Sequence, residues 1–90
     1  MAKEYTIEEV LSSRGRVRVL RILAEAEELN ISEIARRAGL NHKATSNHLK
    51  VLRNAGLVQE KRFGRVRIFR IKSENAKAAA FKQLVDSWKT

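Results

Sequence analysis

Apolar and polar positions along this chain follow two periods, and the switches between them divide it into elements. Ile7, Val10 and Leu11 recur at helical spacing behind Thr6 and Glu9, whose separation matches a capping box. They predict a short first helix ending near Ser12–Ser13, with Gly15 as a break or bend. Arg16, Val17, Arg18 and Val19 alternate with a period of two that taken alone suits a strand. Leu20, Ile22, Leu23 and the run Ala24-Glu25-Ala26-Glu27 favour a second helix instead, with Val19, Leu20 and Leu23 on one face. Leu29-Asn30-Ile31 is strand-like but very short. Ser32 is a good N-cap, and Ile34, Ala35 and Ala38 form the apolar face of a helix of about seven residues closed by Gly39.

Asn41 caps the next helix, which runs to about Asn54 with Thr45, Leu49 and Leu52 inward and Gly56 closing it. Only Gly39, Leu40 and Asn41 separate these two helices. Two helices joined by about three residues including glycine are the signature of a helix-turn-helix. Leu57-Val58 begins a strand, Arg62-Phe63-Gly64-Arg65 form a hairpin tip, and Val66, Ile68, Phe69 and Ile71 make the return strand. That strand is apolar in both registers, so one face is expected on the core and the other under a terminal helix. Ser73 caps a last helix reaching about residue 88, with Ala76, Ala80, Phe81, Leu84, Val85 and Trp88 as its apolar stripe.

The pattern predicts an α+β fold, mainly α. A single domain spans residues 1–90, with the helix-turn-helix over about 32–55, the hairpin over 57–71 and the C-terminal helix over 73–88. Ninety residues suffice for one domain and not for two. No apolar run approaches the roughly 18–20 residues that cross a bilayer, and no basic-then-apolar start suggests secretion. The cytoplasm is the expected compartment. Cysteine is absent, which excludes disulfides, thiol catalysis and thiolate metal sites.

Charge changes the picture more than composition does. The formal net charge is +9, and +8 of it lies in residues 41–72, where Glu60 is the sole acid. Solvated surfaces normally mix both signs, so one concentrated basic region is the footprint of a polyanion binder.

Ile31-Ser32-Glu33-Ile34-Ala35, Gly39-Leu40, Ser46-Asn47-His48-Leu49-Lys50-Val51-Leu52 and Ala55-Gly56-Leu57-Val58 together resemble the winged helix-turn-helix of small prokaryotic transcription regulators. The likeness is greatest to the ArsR-like group, and it extends over roughly residues 14–71. It implies a homodimer on double-stranded DNA, one recognition helix per subunit in the major groove and a basic β-hairpin wing beside it. Metal-sensing members of the group carry cysteines in the segment matching residues 28–32, where this chain has Asn30 and Ser32. Others bind zinc through Asp and His pairs on the last helix, which here holds Glu74 and Asp86 but no histidine. No metal and no cofactor is therefore expected.

The inward set Thr45, Leu49 and Leu52 turns His42, Lys43, Ser46, Asn47 and Lys50 outward, next to the Asn41 cap. Asparagine pairs bidentately with adenine, and lysine donates to guanine, so Asn47 and Lys43 are the expected base readers. Arg36, Arg37 and Arg53 are expected phosphate contacts, as are Lys61, Arg62 and Arg67 along the wing. Arg65 at the tip suits a narrow minor groove. Phe63 has two readings, folded back onto the domain or stacked on a sugar. His42 and His48 lie six apart, off the spacing of a helical ligand pair, and read as DNA-facing or half-buried polar residues. Phe81, Leu84, Val85 and Trp88, joined by Ile7, Val10 and Leu11, exceed what one small core needs and are expected at a subunit interface.

Three functions compete on these residues: a sequence-specific DNA-binding regulator localised on the nucleoid, a non-specific architectural DNA protein, and a winged helix that binds RNA or protein. An enzyme is not expected, because no carboxylate pair, nucleophile–base pair or phosphate loop is evident.

Overall fold

Each helix starts where a polar side chain replaces a missing backbone acceptor, and those caps set the element boundaries. In the computed structural model, which describes residues 4–89, the order is α1 (Ile7–Leu11), α2 (Arg14–Ala26), β1 (Glu28–Asn30), α3 (Ile31–Ala38), α4 (His42–Asn54), β2 (Val58–Phe63), β3 (Val66–Ile71) and α5 (Ala76–Trp88). Thr6 caps α1 by accepting from the Glu9 amide, and Ser13 caps α2 by accepting from Arg16. Gly15 consequently lies inside the first turn of α2, and the chain breaks two residues earlier than Gly15 suggests.

Two caps differ from the sequence expectation. Asn30, not Ser32, caps α3, accepting from the Glu33 amide at 2.8 Å. The reason is packing: Ile31 is buried together with Ile34, Ala35 and Ala38, and this spacing is satisfied only if the helix begins at Ile31. Asn75, not Ser73, caps α5, its side-chain oxygen accepting from the Lys77 and Ala78 amides. Gly39 ends α3 as expected, in the left-handed conformation at φ 68° that glycine adopts without a steric penalty.

The sheet is antiparallel in the order β1-β3-β2. Val58 faces Ile71 at its inner end and Phe63 faces Val66 at its outer end. The hairpin turn is therefore the two residues Gly64 and Arg65, tighter than the four-residue tip expected, and Gly64 supplies the positive φ such turns need.

The core gathers on α2. Val19, Leu20, Ile22, Leu23 and Ala24 meet Ile31, Ile34 and Ala38 of α3, Leu49 and Leu52 of α4, Phe69 and Ile71 of β3, and Ala78 and Val85 of α5. The terminal helix packs on α2 rather than on the wing. The outer face of β3 therefore stays open, contrary to the expected cover: Val66 is 49% exposed.

Candidate nucleic-acid interface

Helix α4 owes its orientation to three side chains. Thr45, Leu49 and Leu52 are fully buried, and the Thr45 hydroxyl donates to the Asn41 carbonyl at 2.9 Å. The Asn41 side chain accepts from the Ala44 amide, leaving neighbouring first-turn amides and the positive dipole end at the surface. His42, Lys43, Asn47 and Lys50 then stand exposed along one side, and Ser46 is half-buried. Among the described residues, Lys43 and Lys50 form no ion pair. The turn ahead of α4 is braced by Arg18, whose guanidinium donates to the Ala38 carbonyl at 2.9 Å.

The wing is fastened to α4 by the one acid of the basic region. The Glu60 side chain is only 8% exposed and meets three arginines. Arg53 from α4 donates at 2.8 Å, Arg67 from β3 at 2.8 Å and Arg62 from β2 at 3.1 Å. Arg67 also donates to the Ser46 hydroxyl at 3.2 Å and lies over the Phe69 ring. Arg67 foremost, and Arg62 after it, hold the Glu60 carboxyl below its ordinary pKa against the opposing effect of burial. The carboxylate does two things here. It removes repulsion among three cations and ties both hairpin strands to the recognition helix.

Other expected contacts fall into distinct settings. Arg36 and Arg37 share Glu33 on α3, the Arg37–Glu33 distance being 2.7 Å. Together they draw the half-buried Glu33 carboxyl down to a pKa of about 2. Lys61 lies 3.8 Å from Glu28. Arg65 forms no ion pair among the described residues and occupies the turn. Phe63 does not fold back onto the domain; it is 63% exposed.

Residues expected at a subunit interface divide in two. Val10 and Val85 are buried in the chain's own core, because each sits on the side of its helix that faces α2. Ile7, Leu11, Leu84 and Trp88 are exposed, Ile7 by 71% and Trp88 by 82%. Phe81 is half-buried, and with Leu84 it forms a ridge between two apolar grooves. One, about 460 Å³, lies against α1 and is lined by Ile7, Val10, Leu11 and Leu20; the other, about 410 Å³, is lined by Val17, Val85 and Trp88.

Sequence reasoning passed over Arg18 and the role of Glu60. The only signal for Glu60 was its isolation among cations, which says nothing about which of them it meets. Among the described residues, no group of three or more His, Asp or Glu side chains is placed to hold a metal ion, and no helix is long and apolar enough to cross a membrane.

Two helices at a short glycine turn, followed by a basic two-stranded hairpin, define the winged helix-turn-helix class. Residues 13–60 match the sequence profile of the bacterial regulatory proteins of the arsR family, and the chain belongs to that family. Solved structures agree. A possible transcriptional regulatory protein from Mycobacterium bovis is 30% identical with a TM-score of 0.73, over 89% of this chain and 83% of that one. A second structure of the same Mycobacterium bovis fragment, described as a homodimeric winged helix-turn-helix DNA-binding domain of a possible ArsR-family regulator, gives a TM-score of 0.71 at 30% identity, over 89% and 71% of the two chains. The transcriptional repressor BigR from Xylella fastidiosa is 29% identical with a TM-score of 0.73, over 87% and 74%. No curated protein sequence matches the chain significantly.

Proposed function

We propose that the protein is a homodimeric transcription regulator, not an enzyme, that binds double-stranded DNA by sequence in the cytoplasm, on the nucleoid. The observation that carries this is the exposed row His42, Lys43, Asn47 and Lys50 on α4, in a chain whose family is regulatory. The homodimeric DNA-binding domain from Mycobacterium bovis supports it.

In this proposal α4 enters the major groove, where Asn47 and Lys43 read base edges and each good bidentate contact is worth about 1–3 kcal/mol of discrimination. Asn41, His42, Ser46 and Lys50 complete that surface. Arg36, Arg37, Arg53, Lys61, Arg62 and Arg67 neutralise phosphates; those now on Glu33 or Glu60 exchange or share a carboxylate for a phosphate. Arg65 reaches the minor groove. Ile7, Leu11, Phe81, Leu84 and Trp88 pair two subunits, the Phe81–Leu84 ridge of one seated in a groove of the other. A two-fold dimer then sets its recognition helices about 34 Å apart, one turn of DNA.

Selection of bound duplexes from a random pool at physiological salt tests the proposal. The expected result is a pseudo-palindrome with half-site centres about ten base pairs apart. Bound DNA without an enriched motif would replace it with the architectural function, and equal binding of duplex RNA would replace it with an RNA-binding one.

A further inference from the structure

The outer face of the wing carries an apolar pair that the core does not use. Phe63 and Val66 oppose each other on the last rung before the turn, and both are exposed. Strand alternation places them on one face with Lys61 and Ile68, while Arg62 and Arg67 point to the opposite face, toward Glu60 and α4. The ring stands about 10 Å beyond the Glu60 rung, at roughly 3.3 Å per residue. It is not on a slack loop. Its strand is anchored at Glu60 by three arginines, its turn is two residues long, and Val66 backs it across the hairpin.

The surroundings of the ring indicate its partner. On the ring's own face stands Lys61, 3.8 Å from Glu28, and at the turn beside it stands Arg65, which forms no ion pair among the described residues. A phenyl ring flanked by Lys61 and Arg65 suits a surface that is anionic at its edges and apolar within. The minor groove of a duplex has this form, with phosphate rails on either side of stacked bases. An apolar groove on another protein has such rails only where carboxylates line both of its edges, whereas every duplex has them.

We propose that Phe63 is a wedge that enters the minor groove beside Arg65, partly unstacks a base step and bends the duplex toward the major groove. This rests on the DNA-binding function above and adds an activity to it, DNA bending. It also adds a source of selectivity at positions the recognition helix does not touch. Pyrimidine–purine steps such as TA unstack readily, whereas A-tracts are stiff, so the wing favours the former.

The test uses two duplexes of about 40 base pairs with GC-clamped ends, one of alternating A and T and one a continuous A-tract, at low salt where sequence-independent binding is measurable. Each carries end labels for energy transfer and an internal 2-aminopurine, whose fluorescence rises when it unstacks. The expected result is a shortened end-to-end distance and brighter 2-aminopurine on the alternating duplex only, with binding to it roughly tenfold tighter than to the A-tract. Phe63→Ala should lose the preference for the alternating duplex, Arg65 then favouring the narrow groove of the A-tract, leave both straight and keep the same salt slope; Phe63→Leu should restore part of the bend. If the unaltered protein binds without bending either duplex, or Phe63→Ala bends like it, the wedge is wrong and DNA binding stands. If the protein binds neither duplex at low salt, the DNA-binding function falls and the wedge with it.

Discussion

His48 lies on the inner side of α4, against the start of α2. A Cβ at Gly15 would come within 2.9 Å of its Nε2, so Gly15 is where it is to make room for an imidazole, not to break a helix. Burial first, then the neighbouring Arg16 guanidinium, push the His48 pKa below the ordinary histidine value. The ring is thus neutral when folded, while the unfolded chain takes up a proton near pH ~6.5. The stability this contributes is present in full above that pH and is lost as pH falls toward the depressed folded value. Melting temperature should therefore drop as pH is lowered from 7 to 5. His48→Gln should flatten the drop; an unchanged profile would show that another group sets it. Gly15→Ala should add about 1 kcal/mol of helix stability in a His48→Ala background and clearly less in the parent, read from urea midpoints. The sequence pattern allowed a half-buried His48, but the meeting of Gly15 and His48, 33 positions apart, was not in it.

The wing and α4 act as one unit through Glu60. Glu60→Gln leaves Arg53, Arg62 and Arg67 facing one another without a counter-charge, and should cost about 1–3 kcal/mol in urea unfolding, less than a fully dry ion pair because the arginines reach water. Amide exchange should quicken over residues 58–71 while α2 stays protected. A uniform loss of protection would mean that Glu60 supports the whole core instead. The depressed Glu60 pKa has the same pH sense as that of His48 but acts at lower pH: its contribution is present above the ordinary carboxylate range and is lost as pH falls through that range toward the lower folded value. Elements were legible in the sequence wherever the signal was local, as in the Thr6 and Asn41 caps and the Gly39 stop. The α3 and α5 starts were not, because serine and asparagine cap about equally well. For α3 the choice fell to a tertiary requirement, the burial of Ile31.

The molecule as a whole presents two surfaces of different character, a basic one at α4 and the wing and an apolar one at α1 and α5. If the apolar surface pairs subunits, Leu84→Lys should shift sedimentation from dimer to monomer. It should weaken binding to a palindromic duplex by at least about tenfold while leaving a single half-site little changed. Trp88→Ala should act in the same direction. A dimer that survives both changes would place the subunit contact elsewhere. Val10 and Val85 are unsuitable for this test, since truncating them opens the chain's own core and lowers stability whatever the oligomeric state.

What the sequence alone determined is what arises between residues a few positions apart. Helical periods, polar caps, the glycine at a positive φ and the run of charge in residues 41–72 are all of that kind, and they suffice for a winged helix-turn-helix. Tertiary structure decided what depends on distant segments meeting. It chose which cations Glu60 holds, turned Val10 and Val85 inward while Ile7 and Trp88 stayed out, and left Phe63 and Val66 uncovered. The physical reason is that α5 takes its place on α2, where Ala78 and Val85 can be buried, and that placement leaves the outer face of the wing to the solvent.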